Sequence, residues 1–159
     1  MSIVSPQFEA TLDLADQEAT AALGARIAKG LRRGDLVALH GELGAGKTTL
    51  ARAVLRALSV TETVPSPTFT LVQSYDTPRL PVCHYDLYRI ENTVELEELA
   101  LDDALSEGAV LMEWPERAGE DLPGAVLRIH LLTTGSQSRR ADIAGPARWK
   151  PFLTGSSFV

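Results

Sequence analysis

"VALHGELGAGKTTLARAVL", residues 37–55, is the stretch that decides the fold. Its segment from Gly41 to Thr48 fits the pattern G-x-x-x-x-G-K-[ST] at every specified position. The apolar residues before it indicate a buried strand, and apolar side chains at helical spacing indicate a helix from Lys47 to Leu58. Glycines at a sharp turn from a strand into a helix allow backbone N–H groups to converge on an anion. The stretch therefore predicts a phosphate-binding loop; the alternative is an ordinary glycine-rich strand–helix loop.

Length and composition set the class of protein. With 159 residues, 45% hydrophobic and 23% charged, we expect one domain over residues 1–159, whose last few residues are disordered. No apolar run approaches the roughly 20 residues that span a bilayer, and residues 1–10 do not resemble a secretory signal. The single Cys83 cannot form an internal disulfide, which is typical of a reducing compartment. We therefore expect a cytoplasmic protein, and the net charge of −6 argues against broad, nonspecific nucleic-acid binding.

The hydrophobic patterns predict the order of the elements. Strands are expected near residues 8–12, 37–39, 69–75, 82–86, 109–114, 126–132 and 139–143. Helices are expected from Asp16, a plausible N-cap, to Leu31, from Lys47 to Leu58, and as one or two short segments within 91–105. The mixture predicts an α/β protein with a P-loop NTPase fold, in which a central, mostly parallel sheet is flanked by helices and extended by antiparallel strands.

A phosphate loop that binds a nucleotide with Mg²⁺ needs an acidic partner, and two carboxylates are candidates. Glu113 ends a buried apolar run, and Asp86 ends the more mixed strand "PVCHYD". Either could face Thr48, whose hydroxyl is a suitable Mg²⁺ ligand. We favour Glu113 as the metal ligand and give Asp86 the role of orienting water. For each, the alternative is a carboxylate that caps a loop at the end of a strand.

Thr68 and the histidines complete the candidates. Pro65 and Pro67 stiffen the chain around Thr68, which could sense the γ-phosphate and its Mg²⁺; the alternative is a simple proline turn. The histidines show no metal-ligand spacing, and we expect all three to pack or face solvent: His40, His84 and His130.

Four blocks, "GELGAGKTT", "SPTFTLV", "HYDLYR" and "EWPER", occur in an order and at a spacing that resemble the bacterial TsaE family, also called YjeE. The resemblance covers roughly residues 12–143. It implies a small ATPase that uses ATP and Mg²⁺ and joins a threonylcarbamoyl transferase and its companion subunit, of the TsaD and TsaB type. That assembly would modify the adenosine beside the anticodon in tRNAs that read codons starting with A.

The resemblance also implies roles for individual residues. The nucleotide-binding set would be Thr20, Glu42, Leu43, Gly44, Ala45, Gly46, Lys47, Thr48 and Thr49. Thr48 and Glu113 match the Mg²⁺ positions, Asp86 matches an aspartate needed for ATP turnover, and Thr68 matches a switch-like threonine. Glu42 stands where many members have Asp. The region "GSQSRRADI" departs from the family pattern, so Arg139 and Arg140 receive no role from it; both are candidates for a partner surface.

Other classes of protein have their own signatures. A GTPase should carry an N/T-K-x-D motif, and the three lysines of the chain, Lys29, Lys47 and Lys150, stand in no such context. A small-molecule kinase is the best alternative enzyme, but no segment clearly supplies its acceptor pocket and arginine-bearing lid. A noncatalytic nucleotide sensor is the third class, and single-turnover hydrolysis would distinguish it from an ATPase.

Overall fold

The computed structural model describes residues 7–62, 64, 71–91, 97, 99–119 and 122–154. Two expectations fall outside this part of the chain: the proline-flanked Thr68, within residues 65–70, and the disordered C-terminal end, within residues 155–159. The strands in chain order are β1 (Phe8–Leu14), β2 (Asp35–His40), β3 (Val72–Asp76), β4 (Pro81–Asp86), β5 (Ala109–Glu113), β6 (Ala125–Thr133) and β7 (Arg139–Gly145).

The described strands form one sheet in the order β1-β7-β6-β2-β5-β4-β3. Strand β2 runs parallel to β5 and β6, and β5 runs parallel to β4. Strands β3 and β7 are antiparallel to their neighbours, so five of the seven described strands point the same way. All six residues of the central strand β2 are buried, as expected for a strand covered on both faces. The predicted fold class is confirmed.

Helices lie on both faces of the sheet. They are α1 (Gln17–Gly30), α2 (Lys47–Ala57), α3 (Leu101–Glu107) and α4 (Lys150–Leu153), with 3₁₀ turns at Pro115–Ala118 and Ala147–Trp149. Residues of α1 and α2 belong to the apolar cluster on one face, and residues of α3 belong to the cluster on the other. In the part of the chain that the structure describes, no helix is long and apolar enough to cross a membrane.

The predicted helix starts are confirmed. Asp16 caps α1, since its carboxylate accepts a hydrogen bond from the backbone N–H of Ala19 at 2.9 Å. Helix α2 begins at Lys47 as predicted. The sequence patterns predict no element at residues 147–153, where the chain folds into two short helical turns. Trp149 is fully buried there and packs on Gly30, at which a Cβ atom would lie 2.7 Å from the indole.

Candidate functional site

The loop between β2 and α2 has a backbone that favours glycine, as Gly46 and Gly41 show. Gly46 has φ +106° immediately before α2. Gly41 has φ +152°, and a Cβ atom there would lie 2.9 Å from the carbonyl oxygen of Leu131. Helix α2 presents its unpaired N–H groups and the positive end of its dipole at this loop. The loop therefore has the conformation and the electrostatics of an anion site.

Lys47 is buried beside the loop. Its Nζ donates hydrogen bonds to the carbonyl oxygens of Gly41 at 2.5 Å and Glu42 at 2.9 Å, and lies 4.2 Å from the centre of the Trp114 ring. Burial lowers the pKa of Lys47 below its ordinary value, and nearby carboxylates, Glu113 first, partly oppose this change. Carbonyl oxygens and an aromatic face are weak partners for an ammonium group, so a phosphate would be a stronger one.

The two strand-end carboxylates meet beside Thr48. Asp86 and Glu113 end the parallel strands β4 and β5 and are paired in register. The Thr48 hydroxyl donates a hydrogen bond to Glu113 Oε1 at 2.7 Å, whereas Asp86 Oδ1 accepts one from the backbone N–H of Tyr88 at 3.0 Å. Both carboxylates are buried, at 3% and 4% exposure for Glu113 and Asp86. The contact with Tyr88 is the loop capping that the alternative predicts for Asp86, while its place opposite Glu113 suits either role.

His84 is a site residue that sequence reasoning missed. Its side chain is fully buried, and its Nε2 lies 2.6 Å from Glu113 Oε2, the carboxylate oxygen that does not contact Thr48. The expectation that it packs or faces solvent is therefore incomplete, because it also contacts a candidate metal ligand. The available signal was strand alternation: His84 stands two residues before Asp86, so both side chains lie on the same face of β4.

Two cavities adjoin the phosphate loop: the cleft around Lys47 and a second cavity on another side of the loop. The second cavity is lined by residues of α1, the loop, the start of α2 and the β6–β7 hairpin: Gln17, Thr20, Ala45, Gly46, Thr49, Leu131, Ser136, Gln137 and Arg139. Thr20 and Thr49, which the sequence places 29 residues apart, thus line one cavity next to Gly46. Its amide and hydroxyl groups suit a ligand with both hydrogen-bond donors and acceptors.

Arg139 fastens the β6–β7 hairpin to the phosphate loop. Its Nε donates to the carbonyl oxygen of Ala45 at 3.0 Å, and one of its terminal nitrogens lies 3.3 Å from that of Gly44. Its other terminal nitrogen donates to two carbonyl oxygens of its own hairpin. Arg140 is exposed instead and pairs with Asp142 at 3.3 Å. Both arginines were candidates for a partner surface, but nothing in the sequence indicated which of the two would contact the loop.

The remaining candidates from the sequence are Glu42, Leu43 and Thr68. Glu42 and Leu43 are exposed on the loop, Leu43 at 71%. The cleft around Lys47 is completed by aromatic and charged side chains, including Tyr88, Arg89 and Trp114. Thr68 lies outside the described residues.

The fold and the loop define the class of protein: a P-loop NTPase-type α/β protein. The crystal structure of Bacillus subtilis YdiB is similar over 96% of this chain and 94% of that one, with a TM-score of 0.76 and 27% sequence identity. The sequence model of the family "Threonylcarbamoyl adenosine biosynthesis protein TsaE" matches residues 14–141. The chain belongs to the TsaE family.

Curated relatives agree with this assignment. The tRNA threonylcarbamoyladenosine biosynthesis protein TsaE of Nostoc sp. is 41% identical over 135 residues, 82% of each chain. The TsaE protein of Streptomyces coelicolor is 45% identical over 69% of this chain and 76% of its own length. That of Bacillus subtilis is 38% identical over 81% and 79%, respectively. The resemblance read from four short blocks is confirmed, and with it the place of the family in tRNA threonylcarbamoyladenosine biosynthesis.

Proposed function

We propose that this chain binds ATP with Mg²⁺ at the phosphate loop and hydrolyses it, as the ATPase subunit of the machinery that forms threonylcarbamoyladenosine in tRNA. One observation carries the proposal: Lys47 and Thr48 open α2 at the loop, and the Thr48 hydroxyl contacts the buried carboxylate of Glu113 at 2.7 Å. A cation for the phosphates, a hydroxyl and a carboxylate thus meet in one cleft.

The side chains at this point fit Mg²⁺. Mg²⁺ prefers oxygen ligands and, when it accompanies a nucleotide, takes few of them from the protein. Thr48 and Glu113 offer one hydroxyl and one carboxylate oxygen in direct contact, and they would hold the ion. When bound, Mg²⁺ would neutralise charge on the phosphate oxygens during transfer.

The cleft around Lys47 and the second cavity suggest an orientation for the nucleotide. The triphosphate would lie along the loop, with Lys47 and the N-terminus of α2 meeting its charge. The base would enter the second cavity, where Thr20 and Thr49 lie close to the loop. ATP would therefore extend from one cavity into the other, past the side chain of Arg139, which lines both of them.

Hydrolysis would depend on groups that orient the attacking water. Asp86 lies opposite Glu113 at the same end of the parallel strands, so its carboxylate could orient a water near the γ-phosphate. Thr68 would respond to that phosphate as a switch residue. Phosphoryl transfer relies mostly on positioning and on cations near the developing charge, so a site completed by a partner would be slow alone.

The partners follow from the chemistry of the pathway. ATP hydrolysis by itself attaches no group to tRNA, so an ATPase of this pathway acts on another protein of it. We propose a transferase of the TsaD type with its TsaB-type companion, in the cytoplasm where tRNA is modified. The net charge of −6 makes the chain a poor RNA platform, so tRNA would be reached through the complex.

The test is reconstitution. The purified chain is incubated with ATP and Mg²⁺, with increasing amounts of the transferase pair, with and without tRNA, and both phosphate and modified nucleoside are measured. We expect slow phosphate release by the chain alone and a rise of several-fold or more as the pair is added. A flat response, or phosphate transfer to a small metabolite, would contradict the proposal, and the second result would identify a small-molecule kinase.

A further inference from the structure

The carboxylate of Glu113 is held from both sides. Its Oε1 accepts a hydrogen bond from the Thr48 hydroxyl at 2.7 Å, and its Oε2 lies 2.6 Å from the Nε2 of His84. A carboxylate is an acceptor, so the Nε2 of His84 must carry the proton and donate it. With one oxygen fixed by the imidazole, the other is presented to Thr48 in a single orientation.

His84 is buried, and its hydrogen bonding within the described part of the chain is limited to Glu113. The side chain is fully buried and cannot reach solvent or a ligand directly. Its Nδ1 has no hydrogen-bond partner within the described part of the chain, so the contact with Glu113 is the polar contact that the structure gives this ring. Burying a polar ring costs free energy unless it is hydrogen-bonded, so with Nδ1 unpaired the bond to Glu113 is the contact that offsets this cost.

We propose that His84 is a positioning residue for the metal site, which orients the Glu113 carboxylate so that Oε1 faces the Mg²⁺ that accompanies ATP. The inference rests on the proposed function, since it assumes that Thr48 and Glu113 hold the ion. Groups that fix a metal-binding carboxylate through a hydrogen bond typically change metal affinity 10- to 100-fold when they are removed. His84 acts through Glu113 and touches neither the ion nor the nucleotide.

The test compares His84→Leu, which removes the donor, with His84→Gln, whose amide nitrogen can take the place of Nε2. The control is Cys83→Ala, because Cys83 is the preceding residue of the same strand and its side chain lies on the opposite face. For each variant, calorimetry gives the ATP affinity in EDTA and the Mg²⁺ concentration that produces half of the Mg²⁺-dependent gain in affinity.

We expect His84→Leu to raise this Mg²⁺ midpoint about tenfold or more. Its ATP affinity in EDTA should stay unchanged, and His84→Gln should restore most of the wild-type midpoint. An unchanged midpoint in a folded His84→Leu, or equal defects in both variants, would overturn the inference. If His84→Leu does not fold, His84→Asn replaces it under the same criteria, since its shorter amide does not reach Oε2. Absence of any Mg²⁺ dependence in the wild type would instead refute the proposed metal site.

Discussion

Arg139→Ala is the substitution whose effect the structure allows us to work out most directly. The side chain donates to the carbonyl oxygens of Ala45 at 3.0 Å and Gly44 at 3.3 Å, and these contacts tie the phosphate loop to the β6–β7 hairpin. The first distance is near ideal and the second is long, so we count one good charge-assisted bond, about 1.5 kcal/mol. If most of this energy stabilises the ATP-bound conformation of the loop, ATP should bind about tenfold more weakly to Arg139→Ala.

The assay is a calorimetric titration of ATP with Mg²⁺ into wild type, Arg139→Ala and Arg140→Ala. Arg140 is the matched control, because it is the neighbouring arginine of the same strand but is exposed and pairs with Asp142. Arg140→Ala removes the same charge from the protein and should leave the affinity near the wild-type value. An Arg139→Ala affinity equal to that of the wild type would show that the contacts with the loop carbonyls do not matter for binding, and equal losses in the two variants would point to net charge alone.

Three further outcomes are expected. Glu113→Gln should weaken the Mg²⁺-dependent part of ATP binding, since an amide is a poorer ligand for a hard cation, whereas Asp86→Asn should mainly slow single-turnover hydrolysis; calorimetry and phosphate release showing the opposite pattern would exchange their roles. Burial, first of all, lowers the pKa of His40 from 6.5 to about 4. As the pH falls, His40 is therefore protonated in the unfolded chain before it is protonated in the folded chain. The free energy of unfolding should fall by roughly 3 kcal/mol between pH 6.5 and pH 4. Urea titrations across this range should find a smaller fall in His40→Asn. Gly24→Ala would place a Cβ atom 2.4 Å from that of Ala53 on α2. It should destabilise the fold by about 1–3 kcal/mol despite its better helix propensity, and a higher melting temperature would contradict this packing argument.

Local patterns were enough to predict the centre of the site. The loop from Gly41 to Thr48 is a continuous motif between a buried strand and a helix, so its structure follows from a few neighbouring residues. Glu113 could be predicted in the same way, because a short apolar run that ends in a carboxylate delivers it to the edge of a parallel sheet. The sequence of β6 also alternates apolar and polar residues, and its apolar side chains Leu127, Ile129 and Leu131 are buried.

Contacts between distant parts of the chain could not be predicted. His84 meets Glu113 across 29 residues, which requires knowing that β4 and β5 are neighbours, and the sequence does not state the strand order. Arg139 meets Ala45 across 94 residues, and only the register of the β6–β7 hairpin distinguishes it from Arg140. Such arrangements depend on tertiary packing, which local sequence propensities do not specify.

Lys47→Ala tests the central claim, that the loop is a nucleotide phosphate site, most directly. The measurement is the dissociation constant of ATP by calorimetry, with Mg²⁺ present, for wild type and variant, after circular dichroism has shown that both are folded. Removing a charge-assisted contact of about 1.5–3 kcal/mol should weaken binding roughly ten- to a hundred-fold. Equal affinities for the two folded proteins would contradict the assignment of residues 41–48 as the phosphate-binding loop.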